Sequence, residues 1–216
     1  MRARRALIRA ETIIDRPFLV PEVSMHLITD ACPLWKATDA DLERLGLPAP
    51  YWAFAWSGGQ ALARHILDHP EEVSSRTVLS FGAGGGVEAL AAARAGARRV
   101  IASDIDPFAI EALHLNAALN DVDIEATIDD LIGHIDPAWD IVLAADVTYE
   151  TELTARVIDW LAELQARGVE VRIADPGRGF LNPARLEMLA EYDAPSDIDI
   201  DGSDLRVTPV YRLHDE

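Results

Sequence analysis

A run of small residues, Gly82-Ala83-Gly84-Gly85-Gly86, follows the apolar segment Thr77 to Phe81 and precedes an alanine-rich stretch. An apolar run that ends in glycines and leads into a helical pattern predicts a strand, a turn and a helix. A glycine turn at that place lets backbone N–H groups approach a ligand closely, because no Cβ intervenes. The run therefore indicates a ligand site, and a plain strand-to-helix turn is the alternative interpretation.

Asp104 lies eighteen residues beyond Gly86, at the end of the next predicted strand. A carboxylate at that place accepts hydrogen bonds from both hydroxyls of a ribose. The following Asp106-Pro107 pair is typical of a helix cap, so an ordinary turn aspartate is the alternative. Together, the glycine turn and Asp104 predict a ligand that contains adenosine. Asp129 and Asp130 follow the third predicted strand, where an adenine amino group would lie.

The glycine spacing leaves two kinds of adenosine ligand open. Gly84-x-Gly86-x-x-Ala89 satisfies the pattern of nicotinamide dinucleotide sites. Gly82-x-Gly84-x-Gly86 fits the looser turn of enzymes that use S-adenosyl-L-methionine (AdoMet) equally well. The fourth predicted strand ends in Asp146-Val147-Thr148-Tyr149, which places an acid and an aromatic ring beside the expected reactive face. This last feature favours AdoMet over a nicotinamide cofactor.

The elements that must position these residues alternate along the chain. The predicted strands cover residues 77–81, 99–103, 124–128, 140–145, 169–174, 197–200 and 205–213. The predicted helices cover residues 87–95, 107–120, 152–166 and 181–191. Short strands separated by helices predict an α/β fold with a doubly wound, mainly parallel sheet. The last two strands have only four residues between them, Asp201 to Asp204, which predicts an antiparallel hairpin.

The N-terminal part has a different character. The first ten residues carry four arginines and no acid, which is loosely similar to a transit peptide, but Glu11 and Asp15 follow at once and favour a short helix. Residues 17–56 are punctuated by prolines and are only weakly periodic, so they predict a cap or lid. The N-terminal residues lack the apolar run that is typical of a signal peptide, so a cytoplasmic protein is expected.

Composition excludes several classes of protein. The 216 residues include 19 basic and 37 acidic side chains, for a net charge of −18, which disfavours nucleic acid and favours basic protein surfaces as partners. Cys32 is the only cysteine, so an intrachain disulfide and a cysteine-based zinc site are excluded. No apolar stretch reaches the roughly 18 residues of a membrane helix, and no membrane partner is expected. Lys36 is the single lysine among the basic residues.

Six segments occur in an order that is familiar from one group of enzymes. They are Pro50-Tyr51-Trp52-Ala53, Trp56-Ser57-Gly58-Gly59-Gln60-Ala61-Leu62, the glycine turn, Asp104-Ile105-Asp106-Pro107, Asp146-Val147-Thr148-Tyr149 and Asp175-Pro176-Gly177-Arg178. Over residues 20–212, the chain resembles the seven-β-strand (class I) AdoMet-dependent protein lysine methyltransferases with a D-x-x-Y motif. Within them, it is most similar to the enzymes that methylate the β subunit of electron transfer flavoprotein.

The resemblance implies a Rossmann-like, seven-stranded methyltransferase domain over residues 57–216, preceded by the helix and cap of residues 1–56. It also implies a cofactor site for AdoMet that consists of Trp56, Gly82, Gly84, Gly86, Asp104 and Asp130. The glycines would line the methionine and ribose part, Asp104 would hold the ribose hydroxyls, Asp130 would lie near the adenine, and Trp56 would flank the cofactor. No metal site is expected.

By the same resemblance, Asp146 and Tyr149 are the catalytic residues that face the incoming lysine of a protein substrate, the flavoprotein β subunit or another lysine-bearing protein. Methyl transfer from a sulfonium needs a neutral amine in line with the breaking bond, and a carboxylate can orient that amine and offset positive charge. One position departs from the family pattern. Ser80 stands where an acid usually precedes the first glycine by two residues.

Three other functions remain compatible with the residues. A small-molecule N- or O-methyltransferase would keep the cofactor residues and use Asp146 and Tyr149 differently. A nicotinamide-dependent oxidoreductase would explain the glycine turn but not the D-x-x-Y motif. A non-catalytic AdoMet-binding protein would be consistent with Ser80. Arg178, after the fifth predicted strand, is expected to form a salt bridge with an acid.

Overall fold

A computed structural model describes residues 2–29, 32–195 and 205–213, and these residues form one α/β unit. The helices of the described residues are α1 (Arg2–Glu11), α2 (Asp39–Leu45), α3 (Ser57–Asp68), α4 (Val87–Arg94), α5 (Pro107–Leu119) and α6 (Thr151–Ala166). The strands are β1 (Ile13–Asp15), β2 (Met25–Leu27), β3 (Thr77–Phe81), β4 (Arg99–Ser103), β5 (Glu125–Thr127), β6 (Ile141–Ala145), β7 (Glu170–Ala174), β8 (Leu186–Pro195) and β9 (Leu205–Leu213).

The main sheet has seven strands in the order β5-β4-β3-β6-β7-β9-β8. Strands β3 to β7 are parallel, and β9 runs antiparallel to both of its neighbours, β7 and β8. The predicted α/β class, the number of seven strands and the antiparallel end of the sheet are thereby confirmed, and six of the strands lie where they were predicted. The strand order reverses between β3 and β6, and a crevice for ligands forms at such a switch point, outside the carboxyl ends of the strands.

Strand β6 lies at the centre of the sheet, and all five of its residues are buried. Ile141, Leu143 and Ala145 belong to one apolar cluster, whereas Val142 and Ala144 belong to the cluster on the opposite face. Successive side chains of a strand point to opposite faces, so an uninterrupted apolar run is what a strand covered on both sides requires. The continuous apolar character of this segment correctly predicted its place.

The N-terminal segment packs onto α5. The predicted N-terminal helix is confirmed as α1, whose fully buried Ile8 joins an apolar cluster with Trp52 and Phe108. Strands β1 and β2 pair antiparallel as a small separate sheet, which the sequence did not predict. Among the described residues, no helix is long and apolar enough to cross a membrane.

The helix predicted over residues 181–191 is wrong. This segment contains a single 3₁₀ turn, Pro183–Arg185, followed by strand β8. Leu, Glu, Met and Ala favour helices, which misled the prediction. Pairing along β9, from Leu186 with Leu213 to Pro195 with Leu205, overrides that local preference. The strand and turn predicted over residues 197–203 lie outside the described residues.

Replacing Leu143 by alanine tests the central place of β6. Its side chain is fully buried between neighbouring strands and helices, so Leu143→Ala should lower the free energy of unfolding by about 2–5 kcal/mol through the cavity it leaves. Urea denaturation would measure the loss. Leu119→Ala, at a helix end where the side chain is 39 % exposed, is the matched control and should cost less than about 1 kcal/mol. Equal losses in the two variants would contradict the placement of β6.

Candidate active site

A cleft of about 780 Å³ opens at the carboxyl ends of β3, β4 and β6, at the switch point of the sheet. Its lining includes all eight residues that the sequence singled out: Trp56, Gly82, Gly84, Gly86, Asp104, Asp130, Asp146 and Tyr149. The structure thus brings together residues from five loops, which span more than ninety positions of the chain. Three further lining residues, Gly59, Glu88 and Arg178, had been given no role in the site.

The glycine turn between β3 and α4 is shaped by packing as well as by backbone conformation. Gly82 and Gly86 have φ of +65° and +87°, in the left-handed region that favours glycine. A Cβ on Gly82 would lie 2.6 Å from Cγ1 of Val147, and a Cβ on Gly86 would collide with Cδ1 of Leu113. The turn therefore runs against the loop after β6 on one side and against α5 on the other, and side chains have no room there.

Asp104 ties the end of β4 to the glycine turn. Its Oδ2 accepts a hydrogen bond of 2.8 Å from the Gly84 N–H, and its Oδ1 accepts one of 2.8 Å from the Asp106 N–H. Burial raises the pKa of Asp104, whereas these two N–H groups act in the opposite direction. Each carboxylate oxygen keeps a second lone pair, so the group can still accept hydrogen bonds from a ligand in the cleft.

Asp146 follows β6 and has a φ of +55°, which is uncommon for a residue other than glycine. Its Oδ2 accepts a hydrogen bond of 2.8 Å from the Gly59 N–H, in the first turn of α3. Its Oδ1 forms an ion pair of 2.6 Å with the Arg178 guanidinium. Burial raises the pKa of Asp146 although both partners lower it. The carboxyl group is thus held at a fixed place between a helix N-terminus and a cation.

Arg178 is positioned by a loop that Asp175 organises. One oxygen of Asp175 accepts hydrogen bonds from the backbone N–H groups of Gly177, at 2.7 Å, and Arg178, at 3.1 Å. Its other oxygen accepts a hydrogen bond from the buried Thr148 hydroxyl, in the loop after β6. The Arg178 guanidinium lies 5.8 Å from the centre of the Trp56 ring. The expected salt bridge of Arg178 is confirmed, and its partner is the predicted catalytic aspartate.

Tyr149 and Asp130 lie at the rim of the cleft rather than in its depth. The side chain of Tyr149 is 58 % exposed, and burial of its remaining part raises the pKa of its hydroxyl. The Oδ1 of Asp130 accepts a hydrogen bond of 3.0 Å from the Ile132 N–H, and its Oδ2 lies 3.9 Å from Arg156. An aromatic side chain and a carboxylate therefore border the opening.

Gly58 and Gly59 belong to a segment of the family resemblance, but their residue types predict no role for them in the site. A Cβ on Gly58 would collide with Oδ2 of Asp146, and a Cβ on Gly59 would lie 2.9 Å from Cγ1 of Val87. Two glycines in the first turn of a helix are costly for the helix itself. Glycines that lower the stability of a helix indicate that another group lies close to the helix backbone at that place.

Comparisons with known proteins agree with this architecture. The family model described as Ribosomal protein L11 methyltransferase (PrmA) matches residues 61–163. Magnesium protoporphyrin IX methyltransferase (ChlM) from Synechocystis PCC 6803, solved with bound SAM, has a TM-score of 0.51 at 16 % identity, and the match covers 71 % of this chain and 76 % of that one. At that identity the likeness concerns the fold alone. The fold is that of the class I methyltransferases.

Closer relatives identify the family. The electron transfer flavoprotein β subunit lysine methyltransferase of Danio rerio is 35 % identical over 208 residues, which cover 94 % of this chain and 80 % of the relative. The protein of the same name from Xenopus laevis is 37 % identical over 194 residues, which cover 87 % of this chain and 78 % of the relative. This chain belongs to the family of electron transfer flavoprotein β subunit lysine methyltransferases, as its motifs predicted.

The contact between Gly58 and Asp146 can be tested by stability alone. Gly58→Ala should lower the free energy of unfolding by about 1–3 kcal/mol, because the new methyl group would overlap the Asp146 carboxylate. In an Asp146→Ala background the loss should be smaller, since two of the three atoms nearest to the new methyl group are then gone. Denaturant unfolding of the four proteins in this cycle gives the coupling. Additive losses would show that the glycine does not accommodate Asp146.

Proposed function

We propose that this protein transfers the methyl group of AdoMet to lysine ε-amino groups of the β subunit of electron transfer flavoprotein. The observation that carries the proposal is the buried Asp146 carboxylate, which holds a cationic side chain inside a cleft bordered by the glycine turn and Asp104. Membership of the lysine methyltransferase family supports the same reaction. Asp146 already binds one nitrogen cation, the Arg178 guanidinium, next to the glycine turn and Asp104. A site with these properties is suited to bring a lysine amine to AdoMet.

The cleft fits AdoMet in size and in chemistry. Its volume lies within the roughly 300–1,000 Å³ that is usual for cofactor sites. Ser103 Oγ is buried at the end of β4 with no hydrogen-bond partner among the described residues, and Ser103 also lines the cleft. Asp104 has lone pairs left for ribose hydroxyls. Polar groups that still lack a partner are what a bound nucleoside would satisfy.

We assign the cofactor residues as follows. Gly82, Gly84 and Gly86 border the methionine and ribose part of AdoMet, and Asp104 accepts hydrogen bonds from the ribose. Asp130, at the rim, lies on the adenine side, and the Trp56 ring flanks the cofactor. When bound, AdoMet supplies an activated methyl group on its sulfonium.

Asp146 orients the lysine nitrogen for transfer. The new C–N bond forms as the C–S bond breaks, which requires a neutral amine aligned with the methyl group. An Asp146 oxygen accepts a hydrogen bond from that amine and offsets the positive charge that develops on nitrogen. Burial raises the pKa of Asp146, which makes its carboxylate a better acceptor for a lysine proton than a solvated carboxylate.

The mouth of the cleft is aromatic. Tyr149 and Tyr51 are both more than half exposed, and the Tyr51 ring centre lies 5.9 Å from that of Trp56. Apolar rings are suited to the four-carbon stem of a lysine, whose amine must pass from solvent to Asp146. We assign Tyr149 to the wall of this entry path and the segment of residues 1–56 to a cap over the cleft.

The charge of the chain favours a protein substrate with a basic segment. A net charge of −18 attracts lysine-rich surfaces and speeds their association. Lys36 is the only lysine of the chain itself, so self-methylation has almost no target. Nucleic acid is disfavoured by the same charge.

Asp146→Ala tests the catalytic assignment. Transfer should fall by about 100-fold or more, because the amine loses its acceptor, while the Kd for AdoMet changes by less than about threefold. Radiolabel transfer and calorimetric binding measure the two effects. Asp123→Ala, an exposed acid that does not line the cleft, is the control and should match the unaltered protein. If AdoMet binding collapsed together with transfer, Asp146 would belong to the cofactor site instead.

The substrate is tested by incubating the protein with AdoMet and purified electron transfer flavoprotein from the same source, followed by intact-mass analysis. Increments of one methyl group on the β subunit, absent with Asp146→Ala, are expected. Peptide mapping should place every added methyl on a lysine. Binding of AdoMet without any increment would move the substrate to another protein or to a small molecule, and no AdoMet binding would overturn the enzymatic proposal.

A further inference from the structure

Glu88 is a buried acid that has no part in the proposed methyl transfer. It lies in the first turn of α4, directly after the glycine turn, with 2 % of its surface exposed, and it lines the cleft. Its carboxyl group forms no ion pair with any residue that the structure describes, whereas Asp146 has Arg178 and Glu111 has Arg5. A buried carboxyl group without a cation is costly to ionise, so a ligand that brings a positive charge would stabilise its carboxylate form.

The surroundings of Glu88 define what that partner must be. A Cβ on Gly59 would lie 3.5 Å from its Oε2, so the carboxyl group sits between α3 and the glycine turn. The titratable groups that act on it are the carboxyls of Asp146, after β6, and Asp104, after β4. The turn of α3 that faces it presents glycine backbone. Asp146 pairs with Arg178, whereas Glu88 and Asp104 form no ion pair with any residue that the structure describes, and this favours a positively charged ligand group.

Ser80 adds an unsatisfied hydroxyl group beside Glu88. It is fully buried in β3, two residues before Gly82, at the position where the family resemblance implies an acid. Its hydroxyl is close enough to Glu88 to influence that carboxyl, but it is outside hydrogen-bond geometry and has no partner in the described parts of the chain. The family pattern has a carboxyl group on β3 where this chain has Ser80. Glu88, on α4, places a carboxyl group beside that serine instead.

We propose that Glu88 accepts hydrogen bonds from the α-ammonium group of AdoMet and so replaces the acid that Ser80 lacks. The inference rests on the proposed use of AdoMet and assigns a residue for the amino-acid end of that cofactor. Glu88 is the buried acid next to the glycine turn, where the methionine part is placed, and an ammonium group supplies the cation that the carboxyl group does not find among the described residues. Asp146 and Asp104 stay available for the lysine and the ribose.

The protonation of Glu88 makes this pairing measurable. Burial, reinforced by Asp146 and Asp104, raises the pKa of Glu88 to about 8, so the group is mainly protonated at pH 6.5 in the free protein. An adjacent ammonium group favours the ionised carboxylate, so binding at pH 6.5 releases a proton from Glu88. An α-amino group, with an ordinary pKa of about 7.7–8.0, is itself protonated at that pH and does not contribute the proton.

The experiment compares two ligands and two variants by isothermal calorimetry at pH 6.5, in buffers of different ionisation enthalpy. Glu88→Gln should weaken AdoMet binding by about 10- to 100-fold, as expected for the loss of a charge-assisted hydrogen bond, and should abolish the released proton. 5′-Methylthioadenosine has no ammonium group, and Glu88→Gln should change its affinity by less than about twofold. Glu111→Gln, a buried acid outside the cleft, should leave both affinities and the proton release unchanged.

The possible results distinguish a failure of the role proposed for Glu88 from a failure of the proposed function. Unchanged AdoMet affinity and proton release in Glu88→Gln would overturn the role of Glu88 while leaving AdoMet as the cofactor. Equal weakening of both ligands would also overturn it, because a merely structural role does not distinguish them. Lack of AdoMet binding by the unaltered protein would overturn the proposed function and this inference together.

Discussion

The buried carboxylate of Asp146 is the constraint around which the cleft is arranged. A charge this far from water must be paired, and the chain meets the requirement with the Gly59 N–H and the Arg178 guanidinium. The first partner requires a glycine at position 58, in the first turn of α3, since a side chain there would overlap the carboxylate. The second requires the loop after β7 to be held by Asp175. One charge therefore joins α3, β6 and β7 at the edge of the sheet.

The same edge holds carboxyl groups that have no cation beside them. Asp104, Asp146 and Glu88 all line the cleft, and of these three only Asp146 forms an ion pair among the described residues, with Arg178. Keeping the other two carboxyl groups away from water lowers the stability of the unliganded fold, and binding of a cationic ligand compensates for that cost. Both proposed ligands, the AdoMet sulfonium with its ammonium group and a lysine side chain, bring positive charge. Asp146 also has a positive φ, which residues other than glycine seldom adopt. Such backbone strain is often found at functional sites, where the surrounding structure holds the residue in place.

Local patterns predicted the parallel part of the sheet well. The runs at residues 77–81, 99–103 and 140–145 are each followed by glycine or aspartate, and each forms a strand within one residue of the predicted limits. The pattern of apolar residues that predicts a strand is formed by residues next to each other in the chain, and burial of both faces of the sheet favours the same structure. The error at residues 181–191 has the opposite origin. There the helix-forming sequence is held as β8 by pairing with β9, a contact that no local window contains.

Residue order and short-range periodicity were enough to predict the α/β class, the glycine turn and the positions of Asp104 and Asp146 at strand ends. The motifs also pointed to the correct family. The charge contacts follow only from the folded structure: Arg178 pairs with Asp146, the Gly59 N–H donates to the same carboxylate, and Glu88 lies beside Ser80 with no ion pair among the described residues. Electrostatic partnership depends on distances of a few ångströms between residues far apart in the chain. Only the folded arrangement defines those distances.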